Sequence, residues 1–96
     1  MHIPKRFSEI PTEKKDGVFW WVIVPQYWWR QWWWWQGKGD DFPTALANAK
    51  RGLGAGLSRC PVQVFSTTDP GAYVTDLGML RIHDPHAEPV LHFEAE

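Results

Sequence analysis

The sequence predicts a small α+β domain: an antiparallel sheet of about four strands with one helix packed on one face, in the order β-β-α-β-β. Three observations predict it. Residues 18–24 form an unbroken run of β-branched and aromatic side chains, VFWWVIV. Residues 42–53 place apolar side chains at helical spacing. Short β-type runs, separated by Pro, Gly and Asp, then follow at 61–66, 72–82 and 90–93. A single helix among such strands fits two layers.

Ninety-six residues, 44% hydrophobic and 22% charged, suit one domain with one modest core. Residues 1–16 read as a polar N-terminal arm, with Pro4, Pro11 and the charged run Glu13-Lys14-Lys15-Asp16, and residues 17–96 as the domain. Asp16-Gly17 is a turn signal. The first strand follows, with Val18, Trp20, Val22 and Val24 on one face and Phe19, Trp21 and Ile23 on the other. Both faces are apolar, so both need cover. Pro25-Gln26 reads as an interruption.

Residues 27–36 fit two patterns. As a helix, Pro25 opens it, Gly37 ends it, and Trp28, Trp29, Trp32 and Trp33 form a stripe. As a strand, Trp28, Arg30, Trp32, Trp34 and Gln36 share one face. The aromatic density favours the strand, because Trp loses side-chain freedom in a helix and fits a pleated surface. Residues 37–41, GKGDD, read as a loop.

The helix then has Phe42, Ala45, Leu46, Ala49 and Leu53 on one face. Asp41 suits its N-cap, Pro43 its first turn, and Lys50 and Arg51 its last. Gly52 reads as its stop. Residues 52–56, GLGAG, lack the strand before and helix after that a dinucleotide-binding loop needs, and read as a flexible connection. Residues 61–66 form the third strand, Thr68-Asp69-Pro70-Gly71 a turn, residues 72–82 a fourth strand bent at Gly78, and residues 90–93 a short last one.

Net charge is −1, without the basic excess of a duplex-DNA binder. The longest apolar run ends at Pro25, far short of the ~20 residues of a membrane-spanning helix. No apolar segment follows Met1–Arg6, so no signal peptide is expected. The single cysteine, Cys60, forms no internal disulfide and reads as a small buried hydrophobe. The expected compartment is the cytoplasm, the host's if the chain is phage-encoded.

Function rests on the tryptophans. The chain has eight, and six of them fall in the eight residues 28–35. One short helix covers one sheet face, so a set of this size places indoles at a surface. The expected partner is another protein, or a second copy of the chain, seated on Trp28, Trp29, Arg30, Trp32, Trp33, Trp34 and Trp35. A phage or mobile-element inhibitor of a host complex fits this character. The alternative is single-stranded nucleic acid, its bases stacked on indoles and its backbone tracked by Lys38, Lys50, Arg51 and Arg59. Carbohydrate or membrane-interface binding through Trp is a further alternative.

No catalytic signature stands out. Cys60 with a histidine, or Ser66 with Asp69, lie in no recognised context, and no enzyme activity is expected. His83, His86 and His92 with nearby carboxylates are weak metal candidates, in a stretch that Pro85 and Pro89 make irregular. No cofactor or metal is expected.

Overall fold

The fold was obtained as a computed structural model, which describes residues 7–53 and 62–94, the side chains of Trp28 and Leu53 excepted. Strands β1 (Phe19–Trp28) and β2 (Gln31–Gly39) form a hairpin, followed by helix α1 (Phe42–Leu53) and strand β3 (Gln63–Thr67). Strands β4 (Tyr73–Val74), β5 (Leu80–Arg81) and β6 (Val90–Glu94) complete the order. The main sheet is antiparallel, ordered β2-β1-β3-β6, with α1 on one face. The α+β class read from the sequence holds.

The helix forms where its apolar stripe lies. Asp41 Oδ1 accepts the Thr44 amide at 2.8 Å, an N-cap. Phe42, Ala45 and Ala49 are buried against Trp20, Val22 and Val24 of β1, Val64 of β3 and Phe93 of β6. Residues of the N-terminal arm join this core. A short 3-10 turn at Phe7–Glu9 brings Ile10 into it, and the Phe7 ring packs 4.9 Å from Phe93 and 5.7 Å from Phe42.

Three boundaries depart from the sequence reading. First, β1 runs through Pro25 instead of stopping there. The two-residue loop makes Trp28–Gln31 a hydrogen-bonded pair, and the pattern alternates inward from it. Pro25, opposite Trp34, therefore falls at a position whose nitrogen faces away from β2. β3 has ended by then, its last partner on β1 being Ile23, so the missing N–H breaks no ladder bond.

Second, Gly37, Lys38 and Gly39 belong to β2, not to a loop. They are glycines at 37 and 39 because α1 lies directly on the strand. A Cβ on Gly37 would overlap the Ala45 carbonyl oxygen and the Ala49 nitrogen, and one on Gly39 would lie 2.6 Å from the Ala45 nitrogen. Likewise, Gly52 does not stop the helix. It lies within α1, where the Trp35 ring occupies the space of a Cβ.

Third, residues 72–82 are not a strand of the main sheet. They form a separate hairpin, β4-β5, turning through Gly78 at φ +76°. The fourth strand of the sheet is β6 instead. The β4-β5 hairpin is held by Asp69, a buried carboxylate that accepts the amides of Gly71, His83 and Asp84. These bonds hold its carboxyl below the usual carboxylate range, the Asp84 amide first.

This segment solves the problem of the second sheet face. Trp21 and Ile23 are buried on this face, to which the segment is tied at Pro70, Gly78 and Ala87 by Lys38, Trp34 and Thr67. Lys38 Nζ donates to the Pro70 carbonyl at 3.1 Å and sits 4.9 Å from the Phe19 ring centre and 5.6 Å from that of Trp21. At the other end of this cover, the Thr67 hydroxyl donates to the Ala87 carbonyl. Among the described residues, no helix is long and apolar enough to cross a membrane.

Candidate functional site

The β1-β2 hairpin is longer than the sheet it belongs to. Pairing with β3 ends at Ile23, while pairing with β2 continues to Trp28. The last five residues of β1 and their partners thus form a two-stranded ribbon, reaching roughly 17 Å past the sheet at ~3.4 Å per residue. Trp29 and Arg30 make its two-residue turn.

Side-chain alternation sorts the aromatics of the ribbon. Gln26, Trp33 and Trp35 share the helix face; Pro25, Tyr27, Trp32 and Trp34 share the other. At the base of the ribbon the two faces are closed by glycines. Trp35 packs on Gly52 of α1 and donates its indole N–H to Gln26 Oε1 at 2.8 Å. On the opposite face the Trp34 ring packs on Gly78 of the β4-β5 turn. The ring fills the place of a side chain there, which only glycine permits.

Beyond these two anchors the aromatics are open. Trp29 is 82% exposed, Tyr27 60%, Trp32 57% and Trp33 43%. They are not scattered: Tyr27 meets Trp32 edge-on at 5.4 Å, and Trp32 stacks with Trp34 at 6.3 Å. Leu77 and Met79, both exposed, extend this face, and a cleft of about 300 Å³ separates them from Pro25 and Trp34. Tyr27, Trp32 and Trp34 thus form one aromatic cluster on this face, with Trp33 exposed on the opposite one, a larger apolar exposure than the single hydrophobes common on soluble domains.

The turn itself is strained. Both of its residues have positive φ, 54° for Trp29 and 65° for Arg30. The right-handed twist of a two-residue hairpin demands this, and Asn-Gly is the usual answer. A bulky side chain there is an outlier.

The residues singled out in the sequence therefore separate. Trp29, Trp32 and Trp33 are on the exposed ribbon with Arg30. Trp34 and Trp35 are half-buried anchors at its base. The side chain of Trp28 lies outside the described residues. Tyr27, absent from the predicted set, belongs with the exposed group; a position opposite Trp32 in a two-residue hairpin was its signal.

The cationic set does not converge. Lys38 is engaged under the sheet, as described above. Lys50 and Arg51 are exposed on the last turn of α1, on the other side of the sheet. Arg59 and Cys60 lie outside the described residues. Nor do the histidines gather, and no group of three metal-ligating side chains forms among the described residues. The His83 ring packs on Tyr73 at 5.3 Å. His92 lies on Trp20 at 4.4 Å and shares a 2.6 Å hydrogen bond with Ser66 Oγ. Ser66 thus pairs with His92, and Asp69 is committed to backbone amides.

Burial pushes the His92 imidazole below its ordinary value of 6.5, with Lys15 adding to the effect. A base whose pKa falls on folding binds its proton more readily when unfolded. Its contribution to stability is then whole above pH 6.5 and is lost as pH falls through the folded value. The urea midpoint should accordingly drop between pH 7.5 and pH 5.5. In His92→Gln, that step should vanish; a step of equal size in the variant would assign it to other groups.

No family model, curated protein or solved structure matches this chain.

Proposed function

We propose that this protein is a non-catalytic binding module whose projecting aromatic hairpin seats against another protein. One observation carries the reading: Tyr27, Trp29, Trp32 and Trp33 are exposed together on a ribbon that extends past the sheet, while the base of that ribbon is anchored on both faces. Large rigid aromatics with a single charge, Arg30, are the composition of a protein-interface core. A wedge of this shape suits obstruction of a larger complex, the mode of a phage or mobile-element inhibitor acting in a host cytoplasm.

Nucleic-acid stacking is the rival. Phosphate binding calls for cations beside the stacked bases. Arg30 alone among the described cations lies on the ribbon, since Lys38 is held by Pro70 and Lys50 and Arg51 stand on α1. This distribution favours a protein partner.

A photo-crosslinking residue at position 29, introduced in the host cell, should capture a protein. With that partner purified, Trp29→Ala and Trp32→Ala should each weaken binding about 30-fold, the effect of a ~2 kcal/mol hot spot. Circular dichroism should be unchanged. Salt-sensitive binding to single-stranded oligonucleotides, lost in Lys50→Ala/Arg51→Ala, would overturn the reading.

A further inference from the structure

The hairpin has two free edges, and they are treated differently. On the β1 side, the positions past β3 that face outward are Pro25 and Tyr27. Pro25 has no N–H, so that edge is guarded against strand addition. On the β2 side, the alternation turns the N–H and C=O groups of Trp32, Trp34, Gln36 and Lys38 outward. The Lys38 carbonyl is already taken, by Asn48 Nδ2 at 2.6 Å. Among the described residues, no strand pairs with this edge, and no backbone group bonds the outward amides and carbonyls of Trp32, Trp34 and Gln36.

This open stretch has none of the usual protection. Residues 31–37, QWWWWQG, contain no charge and no proline. Natural edges are normally blunted by Lys, Pro or a bulge, and an uncharged β-forming segment of this length is a template for pairing. The outward groups at 32, 34 and 36 are also symmetric about Trp34.

We infer that the occupant of this edge is a second copy of the same strand, joined antiparallel about a two-fold axis at Trp34. Trp34 then pairs with its own copy, and Trp32 with Gln36 of the second copy in both directions, so every outward amide and carbonyl of the three residues is satisfied. On the helix face, Trp33 meets Trp35 of the second copy. From Gln31 to Gly37 no charged residues face each other along the seam; the same register sets Arg30 at the turn opposite Lys38 of the second copy, whose ammonium is turned to the Pro70 carbonyl. The two four-stranded sheets become one continuous sheet, an isologous dimer.

The exposed parts of Trp32 and Trp33 supply roughly 250 Å² per chain. Backbone edge and glutamine side chains add to this, but the total stays at or below the ~800 Å² per partner of a standard interface. The dimer is therefore weak, with a dissociation constant on the order of micromolar. The inference rests on the hairpin's being an interaction surface and names the partner of its β2 edge.

Sedimentation of the full chain from 1 to 500 µM tests it. The mass should rise from 11.2 kDa toward twice that value. Hydrogen exchange at the Trp32, Trp34 and Gln36 amides should slow as concentration rises. Gln36→Pro, which repeats on β2 what Pro25 does on β1, should hold the chain monomeric with its circular dichroism intact. A monomer at 500 µM, or a dimer whose three amides exchange as in dilute solution, overturns the inference; the wild-type exchange data decide even if the variant fails to fold. A monomer that still crosslinks to another protein through position 29 overturns the dimer alone and leaves the proposed function standing. Loss of both overturns the interaction surface.

Discussion

Gly37→Ala is expected to remove about 3 kcal/mol of stability or more, the largest effect of any single methyl group in this fold. A Cβ at this position overlaps the Ala45 carbonyl oxygen and the Ala49 nitrogen. Both are backbone atoms of α1, so no rotamer change relieves the clash. The helix must lift off β2, and Phe42, Ala45 and Ala49 lose contact with Val22 and Val24. Overpacking a core typically costs 1–3 kcal/mol when side chains can adjust; here the backbone must move. A domain of this size has about 5–14 kcal/mol in total. The control is Gly17→Ala. Gly17 has φ +77° and nothing within 4 Å of its Cβ position, so only the left-handed backbone is charged, about 1 kcal/mol. Urea unfolding of both variants separates the two mechanisms. A Gly37→Ala protein within 1 kcal/mol of wild type would mean that α1 does not rest on the strand.

That contact shows what was legible in the sequence and what was not. The strand at VFWWVIV and the helix stripe at Phe42, Ala45 and Ala49 are periodic, and periodicity is local information. Gly37 and Gly39 carry the opposite kind. Their turn-like composition suggested a loop, because a glycine selected for helix contact looks the same in sequence as one selected for a bend. Pro25 misled for a related reason: its tolerance depends on β3 ending at Ile23, a fact of register. The open surface was anticipated at Trp29, Trp32 and Trp33. The anchoring of Trp34 and Trp35 was not, because it requires Gly78 and Gly52, 44 and 17 residues away, to arrive beneath the two rings.

Replacing Trp29-Arg30 with Asn-Gly is expected to stabilise the protein by about 2 kcal/mol and to weaken partner binding about 30-fold. The two effects come from one feature. Both residues hold positive φ, which costs a non-glycine side chain roughly 1–2 kcal/mol each. Asn-Gly adopts this turn with little strain, and the added freedom of glycine in the unfolded chain returns ~1 kcal/mol of the gain. Trp29 is 82% exposed, so its removal takes little packing from the fold. Backbone strain of this kind persists where something other than stability retains the residue. Here that is the presentation of a large indole at the tip of the ribbon, beside the one charge the ribbon carries. Urea midpoints and titration against the crosslinked partner read the two effects separately. A variant no more stable than wild type would show that the turn is unstrained. A stabilised variant with full affinity would move the contact surface off the tip and onto Tyr27, Trp32 and Trp33 along the faces of the ribbon.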